Sequence, residues 1–433
     1  MKKLTTLVTV VFLLLFMLTN TIEANDQSEG LKNSRKTFID YFDTTLVFDI
    51  YAENEVPDEH WNEIEAILKR VQNTFDRMEK DSELYRLNAS AGGDAPFPVS
   101  KDLYVVIHRA FEFADLTGGK YNPAIGPLLD LWGTPGAVTK IPTEQEIESI
   151  KKLYAYDKVK DKITCHEDDE GNYSIHLLEK GMALDLGSIA KGYAADLLRD
   201  KINALGYEHA VIDLGMSSIS LIGNRPEPLE KGNDNWRIGL KNPNPLFCNK
   251  KGECQDRIFG AIEVSDVTIT TTGTDQRFWF IPNDPEGKKY HHILDPDTGF
   301  PVHNIIEQVT VISEDATLGD ALSTSLKAVG IKKGLEIVET LKQKENIEIE
   351  AIFLTYNREI YVTSGIGTTI PFTILHDSFK IKDISELKNE DKIIHYERPN
   401  NVTKPLLMAL GIMAGTSLVI GGAALIVKKV REP

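Results

Sequence analysis

The sequence predicts an α+β fold of mixed, largely antiparallel sheets with flanking helices. Three observations lead there. Short strand-like segments crowd between residues 173 and 272, amphipathic helical segments lie on either side of them, and the regular strand–helix alternation of a doubly wound sheet is missing. A length of 433 residues allows two or three domains at about 150 residues each, or one large domain with appendages.

In chain order, Lys2 and Lys3 precede an apolar run from Leu7 to Leu18 and a small residue at Ala24, so residues 1–24 read as an export signal. Residues 25–36 read as a linker to a body spanning 37–378. Residues 44–51 alternate as a strand, and residues 58–78 set Ile64, Ile67, Leu68, Val71 and Phe75 on one helical face. A second helix is expected over 103–116. Residues 123–132 mix Gly126 and Pro127 with leucines, and Thr143 caps a third helix to residue 154, with Glu144 and Glu146 in its first turn.

Strands are expected at 173–178 and 183–186, then a helix at 189–205 ending near Gly206. Further strands follow at 210–213, 218–222, 236–240, 259–264, 267–272 and 308–312. A helix at 316–329 stops at Gly330, and the last strands are 351–355, 359–363 and 372–375. Residues 379–403 read as a charged stalk. Residues 405–427 carry no charge over 23 positions, long enough to cross a hydrocarbon core of about 30 Å. Lys428, Lys429 and Arg431 follow in a tail of residues 428–433 expected on the cytoplasmic side, which puts the body on the extracytoplasmic face of the plasma membrane.

The formal net charge is −17; setting aside +1 over residues 1–24 and +3 over 404–433 leaves −21 on the rest. Such a body repels a phosphate backbone, and no basic stripe interleaves with aromatics, which argues against nucleic acid as a partner. A phosphate-bearing substrate would need a metal or local lysines to hold it. Three cysteines are too few for a disulfide scaffold or a zinc site, although Cys248 and Cys254 can close a small ring. The dinucleotide glycine motif, the P-loop, the G-x-S-x-G elbow and H-E-x-x-H are all absent.

Four segments carry chemistry. L-D-L-G-S-I-A-K-G-Y-A-A-D (184–196) runs through a Gly-Ser turn into a helix with Lys191 near its start, which is either an anion cradle or an ordinary turn with a solvated lysine. Y-H-H-I-L-D-P-D-T-G-F-P (290–301) sets two adjacent histidines before a rigid turn, so that one faces away from the other. Asp320 and Thr324 stand at i and i+4, projecting two oxygens from one helix face; they suit Mg²⁺, or else Asp320 is exposed and Thr324 bonds back to its helix. S-E-L-Y-R-L-N (82–88) and G-G-K-Y-N-P-A-I-G-P-L-L-D-L-W-G (118–133) offer amide and aromatic groups for a flat ring system, with Tyr121 and Trp132 equally suited to a core.

In order and wording these segments, together with I-D-L-G (212–215), T-T-G (271–273) and G-D-A-L-S-T-S-L (319–326), resemble the ApbE-like family of FAD:protein FMN transferases over residues 37–378. The resemblance implies an ApbE-like, T-fold-like architecture. It implies FAD as donor, a Thr or Ser hydroxyl of a target protein as acceptor, AMP as the leaving group and Mg²⁺ as the metal. Metal ligands then fall on the Ser188 carbonyl, Asp320 and Thr324, and Asp320 and His292 are the catalytic candidates. Lys191 falls at the family's FAD-proximal Lys and His292 at its His preceding I-L-D-P. Asn88 falls near the adenine, Phe42, Met78, Lys120, Tyr121 and Asn122 at flavin-site positions, and Lys191, His292 and Thr272 count with them as cofactor-binding. Where the family usually has D-L-G-G, T-S-G and M-G-T, this chain has Asp213-Leu214-Gly215-Met216, Thr271-Thr272-Gly273 and Phe42-Asp43-Thr44. The acceptor motif D-x-x-[ST]-G-A-[ST] is not found here, which implies another exported redox protein as target. A metal-dependent FAD pyrophosphatase and a non-catalytic flavin-binding protein are the competing expectations.

Overall fold

The computed structural model describes residues 30–133, 140–230, 232–248, 254–275, 277–280 and 289–387. The signal at 1–24, the apolar stretch at 405–427 and the tail lie outside these residues. Among the described residues no helix is long and apolar enough to cross a membrane.

The strands are β1 (Lys32–Tyr41), β2 (Thr44–Ala52), β3 (Phe97–Val99), β4 (Ile163–Glu167), β5 (Tyr173–Leu177), β6 (His209–Asp213), β7 (Ser218–Ile222), β8 (Trp236–Lys241), β9 (Ile258–Val264), β10 (Thr268–Gly273), β11 (Phe278–Phe280), β12 (Lys289–His291), β13 (Ile306–Ser313), β14 (Ile349–Thr355), β15 (Glu359–Val362), β16 (Phe372–Ile374) and β17 (Lys380–Ile381). The helices are α1 (Asp58–Phe75), α2 (Glu83–Ala89), α3 (Lys101–Leu116), α4 (Gly126–Trp132), α5 (Glu144–Ile150), α6 (Tyr156–Val159), α7 (Ala190–Ala204), α8 (Ala316–Val329) and α9 (Ile331–Lys344).

A nine-stranded sheet runs in the order β1-β2-β6-β7-β10-β13-β14-β15-β17, antiparallel except for the β15–β17 pair. Period-two alternation explains its burial on both faces. Val309, Val311, Ala351 and Phe353 point to one core shared with α1, α3, α7, α8 and α9. Ile312, Ile352 and Leu354 point to a second core against the small β16-β9-β8 sheet. A third cluster around Trp132, Trp279 and Tyr290 lies beside the β11–β12 hairpin.

The helices expected to reach residues 78 and 154 end at Phe75 and Ile150, and three further departures concern the sheets. β1 starts at Lys32, inside the segment read as linker; as an edge strand it keeps most side chains in water, so alternation is absent from its sequence. Residues 183–186 are extended but join no sheet, because other groups take their backbone hydrogen bonds. Residues 380–381 pair with β15, so the segment read as stalk begins inside the fold.

A buried carboxylate ties the small sheet to the last strands. Asp256 accepts hydrogen bonds from the Leu246 and Phe247 amides at 2.9 and 3.0 Å and pairs with Arg358 at 2.6 Å. Arg358, at φ 63°, sits over the Phe379 ring, and Cys248 and Cys254 are joined by a disulfide while Cys165 stays free. Burial opposes ionisation of Asp256, but the amides and Arg358 outweigh it and lower its pKa to about 2. Asp256→Ala strands the Arg358 guanidinium and two amides, and is expected to lower unfolding free energy in urea by about 3–5 kcal/mol.

Candidate active site

The site begins where the expected strand at 183–186 fails. The Leu184 amide donates to Asn88 Oδ1 at 2.7 Å, and Asn88 Nδ2 donates to the Leu184 carbonyl at 2.9 Å. The Asp185 amide donates to the Pro123 carbonyl at 2.8 Å, and the Gly126 amide to the Ala183 carbonyl at 3.2 Å. Two neighbouring segments thus stand in for a partner strand and hold the Gly187-Ser188 turn ahead of α7. The Asn88 side-chain amide, expected near an adenine, is engaged by this backbone.

At the start of α7 the chain meets α8. A Cβ on Gly192 would stand 2.2 Å from the Ala316 carbonyl oxygen, so only glycine permits this approach. The Gly192 amide donates to Asp320 Oδ2 at 3.0 Å. Asp196 accepts from the Ala316 and Thr317 amides, both at 2.9 Å, capping α8 from α7. Burial raises the Asp196 pKa against those bonds.

The second carboxylate oxygen of Asp320, Oδ1, accepts no hydrogen bond from the described residues. One turn on, Thr324 Oγ1 lies 3.2 Å from Thr272 Oγ1, which also meets Ser323 at 2.7 Å. Among the described residues the buried Tyr121 hydroxyl has no partner at hydrogen-bonding geometry, although the Ser188 side chain lies close enough to act on it. Burial raises its pKa far above the ordinary phenol value; Ser188 opposes the shift and the charges of Asp320 and Asp185 add to it. Ser188, Tyr121, Asp320, Thr324 and Thr272 therefore gather at one place. Their donors are all oxygens, with a bare carboxylate oxygen and an orphaned hydroxyl among them, which fits a hard cation such as Mg²⁺. Among the described residues no group of three or more His, Cys, Asp or Glu could hold a metal, so water and phosphate oxygens would complete any shell here.

The two histidines have separate tasks. His291 is buried, donates from Nε2 to the Val302 carbonyl at 2.9 Å and accepts the Ile293 amide on Nδ1 at 3.3 Å, so both nitrogens are engaged in structure. His292 is half-buried, and its Nδ1 lies 3.1 Å from the Arg277 carbonyl, an acceptor, so Nδ1 carries the proton and Nε2 presents a lone pair. Burial, together with the Arg277 and Lys191 charges, lowers its pKa to about 4 despite the Arg277 carbonyl. The Lys191 charge is thus close enough to act on His292.

The other expected residues divide. Lys120 is bound to Asp295 at 2.7 Å and Asp297 at 2.9 Å, bonds that outweigh burial and raise its pKa; it locks the D-P-D-T-G turn against the K-Y-N-P segment. Asn122 donates to the Tyr154 carbonyl at 2.6 Å and accepts the Ala124 amide at 2.9 Å. Both side chains are engaged within the protein, Lys120 by two carboxylates and Asn122 by backbone. Phe42 sits in the β1–β2 turn at φ 53°, its amide donating to Gln72 at 3.1 Å, and Asp43 there meets Arg277 at 3.7 Å. Met78 is exposed beside Arg77.

Arg77 is a residue the motif reasoning missed. It reaches Asp130 at 2.6 Å and Asp185 at 3.6 Å, easing an Asp185 carboxyl that burial pushes upward. The acidic positions inside the quoted motifs called for a cation, and Arg77 was the nearby basic residue adjoining an expected helix end.

A sequence profile of the ApbE family matches residues 42–353. The FAD:protein FMN transferase of Klebsiella pneumoniae (strain 342) is 32% identical over 318 residues, covering 73% of this chain and 88% of that protein. That of Treponema pallidum (strain Nichols) is 27% identical over 322 residues, 73% of this chain and 83% of that one. Among solved structures, the ApbE protein of Thermotoga maritima superposes with a TM-score of 0.61 at 26% identity over 77% of this chain and 97% of its own. The flavin transferase ApbE of Vibrio cholerae gives 0.62 at 24% identity over 77% and 98%, a likeness of fold.

Two substitutions test how the site is held. Gly192→Ala forces α7 and α8 apart and is expected to lower unfolding free energy by about 1–3 kcal/mol in denaturant titration. Asn88→Leu leaves the buried Leu184 amide and carbonyl unpaired, and the same titration should show a loss of about 1–3 kcal/mol per group.

Proposed function

The chain belongs to the ApbE family, and on that premise we propose that it transfers FMN from FAD to a Thr or Ser hydroxyl of an exported protein, with Mg²⁺ as cofactor. The observation that carries this reading is the Asp320 carboxylate of α8, fixed by the Gly192 amide on one oxygen and bare of described partners on the other, packed against the start of α7, the helix that carries Lys191. Asp320, Thr324 and the Ser188 carbonyl would hold the Mg²⁺, which when bound neutralises pyrophosphate charge. Lys191 and the first turn of α7 face the phosphate oxygens. His292 Nε2, kept unprotonated, accepts the proton of the attacking hydroxyl. The hydroxyl oxygen bonds to the FMN phosphorus as the bond to the AMP oxygen breaks, so a phosphodiester forms and AMP leaves.

We read the export signal and residues 405–427 as holding this chemistry outside the plasma membrane, where the target is a redox protein bearing a D-x-x-[ST]-G-A-[ST]-like acceptor.

The test incubates the full chain with FAD, Mg²⁺ and a domain carrying that acceptor motif. AMP release with an added FMN mass on the acceptor is expected, both abolished by Asp320→Ala and by chelation. AMP with free FMN and an unmodified acceptor would replace transfer with hydrolysis, and intact FAD throughout would remove both. Because the active form of His292 is the neutral one, present above its pKa, the rate should hold near neutrality and fall as pH drops through about 4. His292→Ala should lower the rate about 10²–10⁴-fold and abolish that acid limb.

A further inference from the structure

We propose that one end of the molecule, built from Leu246, Phe247, Leu375, Ile381 and Ile384, rests on a lipid bilayer surface. These side chains are 64, 48, 48, 49 and 37% exposed. A cluster of large apolar side chains left in water marks a contact surface more often than an accident of packing.

Their exposure does not come from slack. The Leu246 and Phe247 amides are held by the buried Asp256, the Cys248–Cys254 disulfide closes the segment, and the Gln255 amide donates to the Phe247 carbonyl at 3.0 Å. The Phe247 ring stacks on His376 with centroids 4.8 Å apart, and the Arg358 guanidinium stands 5.4 Å from its centre. The backbone is thus anchored from below while Leu246 and Phe247 point outward beside Leu375.

The position of the chain end selects the occupant. Ile381 ends β17 and Ile384 opens the last described turn, which finishes at Leu387. Residues 388–404 separate it from the charge-free stretch 405–427, and 17 residues reach at most ~60 Å. The inference rests on reading 405–427 as a membrane span, which keeps this end of the body within that reach of the bilayer. Nearby charges are mixed, with Lys380 and Lys382 set against Asp377, Asp383 and Glu386, so contact is apolar and does not depend on anionic lipid. Leu375 follows β16 on the side of the small β16-β9-β8 sheet, while Leu387, which closes the last turn, packs on the core beneath the helices, so the patch lies at the edge of the nine-stranded sheet.

The test uses the full chain in phosphatidylcholine vesicles containing a dibrominated lipid, with Phe247→Trp, Leu375→Trp and, as an exposed control elsewhere, Leu178→Trp. The native Trp61, Trp132, Trp236 and Trp279 are buried and give a constant background. Emission from positions 247 and 375 is expected to shift to the blue and lose most of its intensity at low and high salt alike, with position 178 unaffected. Vesicle-bound protein with 247 and 375 unquenched would overturn the contact while leaving the span intact; a blue shift without quenching would point to a protein partner and overturn it too. Protein that stays in the supernatant would overturn both.

Discussion

At Gly192 two helices approach backbone to backbone, with the position a Cβ would take 2.2 Å from the Ala316 carbonyl oxygen. That approach lets one amide of α7 grip Asp320 and lets Asp196, one turn further along α7, cap α8. The exchange is reciprocal: beside the Asp315 cap, α7 supplies a carboxylate to the first two amides of α8, and α8 returns a carboxylate to the start of α7. With Asp320 held through Oδ2, its other oxygen has a fixed direction before any ligand arrives, which is the preorganisation that electrostatic catalysis requires. Thr324 inherits its place from the same helix, one turn later.

The remaining walls follow from satisfying buried polar groups. Asn88 replaces a missing partner strand, Lys120 ties down the D-P-D-T-G turn, and His291 has both ring nitrogens engaged by backbone. These residues hold still the ones that remain free: the Tyr121 hydroxyl, the bare Asp320 oxygen and the Nε2 of His292. The Trp132 indole donates to the Gly299 carbonyl at 2.8 Å, which fastens the same turn to the third core cluster.

Much of this was legible in sequence. The bounds of α8 follow from its apolar spacing and from Gly330, and the pairing of Asp320 with Thr324 follows from helical period alone. Residues 183–186 were not legible, because an extended segment satisfied by a side-chain amide and two loop carbonyls has the composition of a strand. The helix α9 went unread although Ile331, Leu335, Val338 and Leu341 repeat at helical spacing. Motif wording brought Lys120, Tyr121 and Asn122 forward together. It could not separate them, since the neighbours that occupy Lys120 and Asn122 lie far along the chain and only folding shows Tyr121 without one.

The cation site at the α7–α8 junction is the part on which the chemistry rests, and a crystal soaked in Mn²⁺ tests it most directly through anomalous scattering. A peak bounded by the Ser188 carbonyl, Asp320 and Thr324, lost in Asp320→Asn crystals, is the predicted result. A map with no peak there, or with its peak on Asp130 and Asp185 instead, would contradict it.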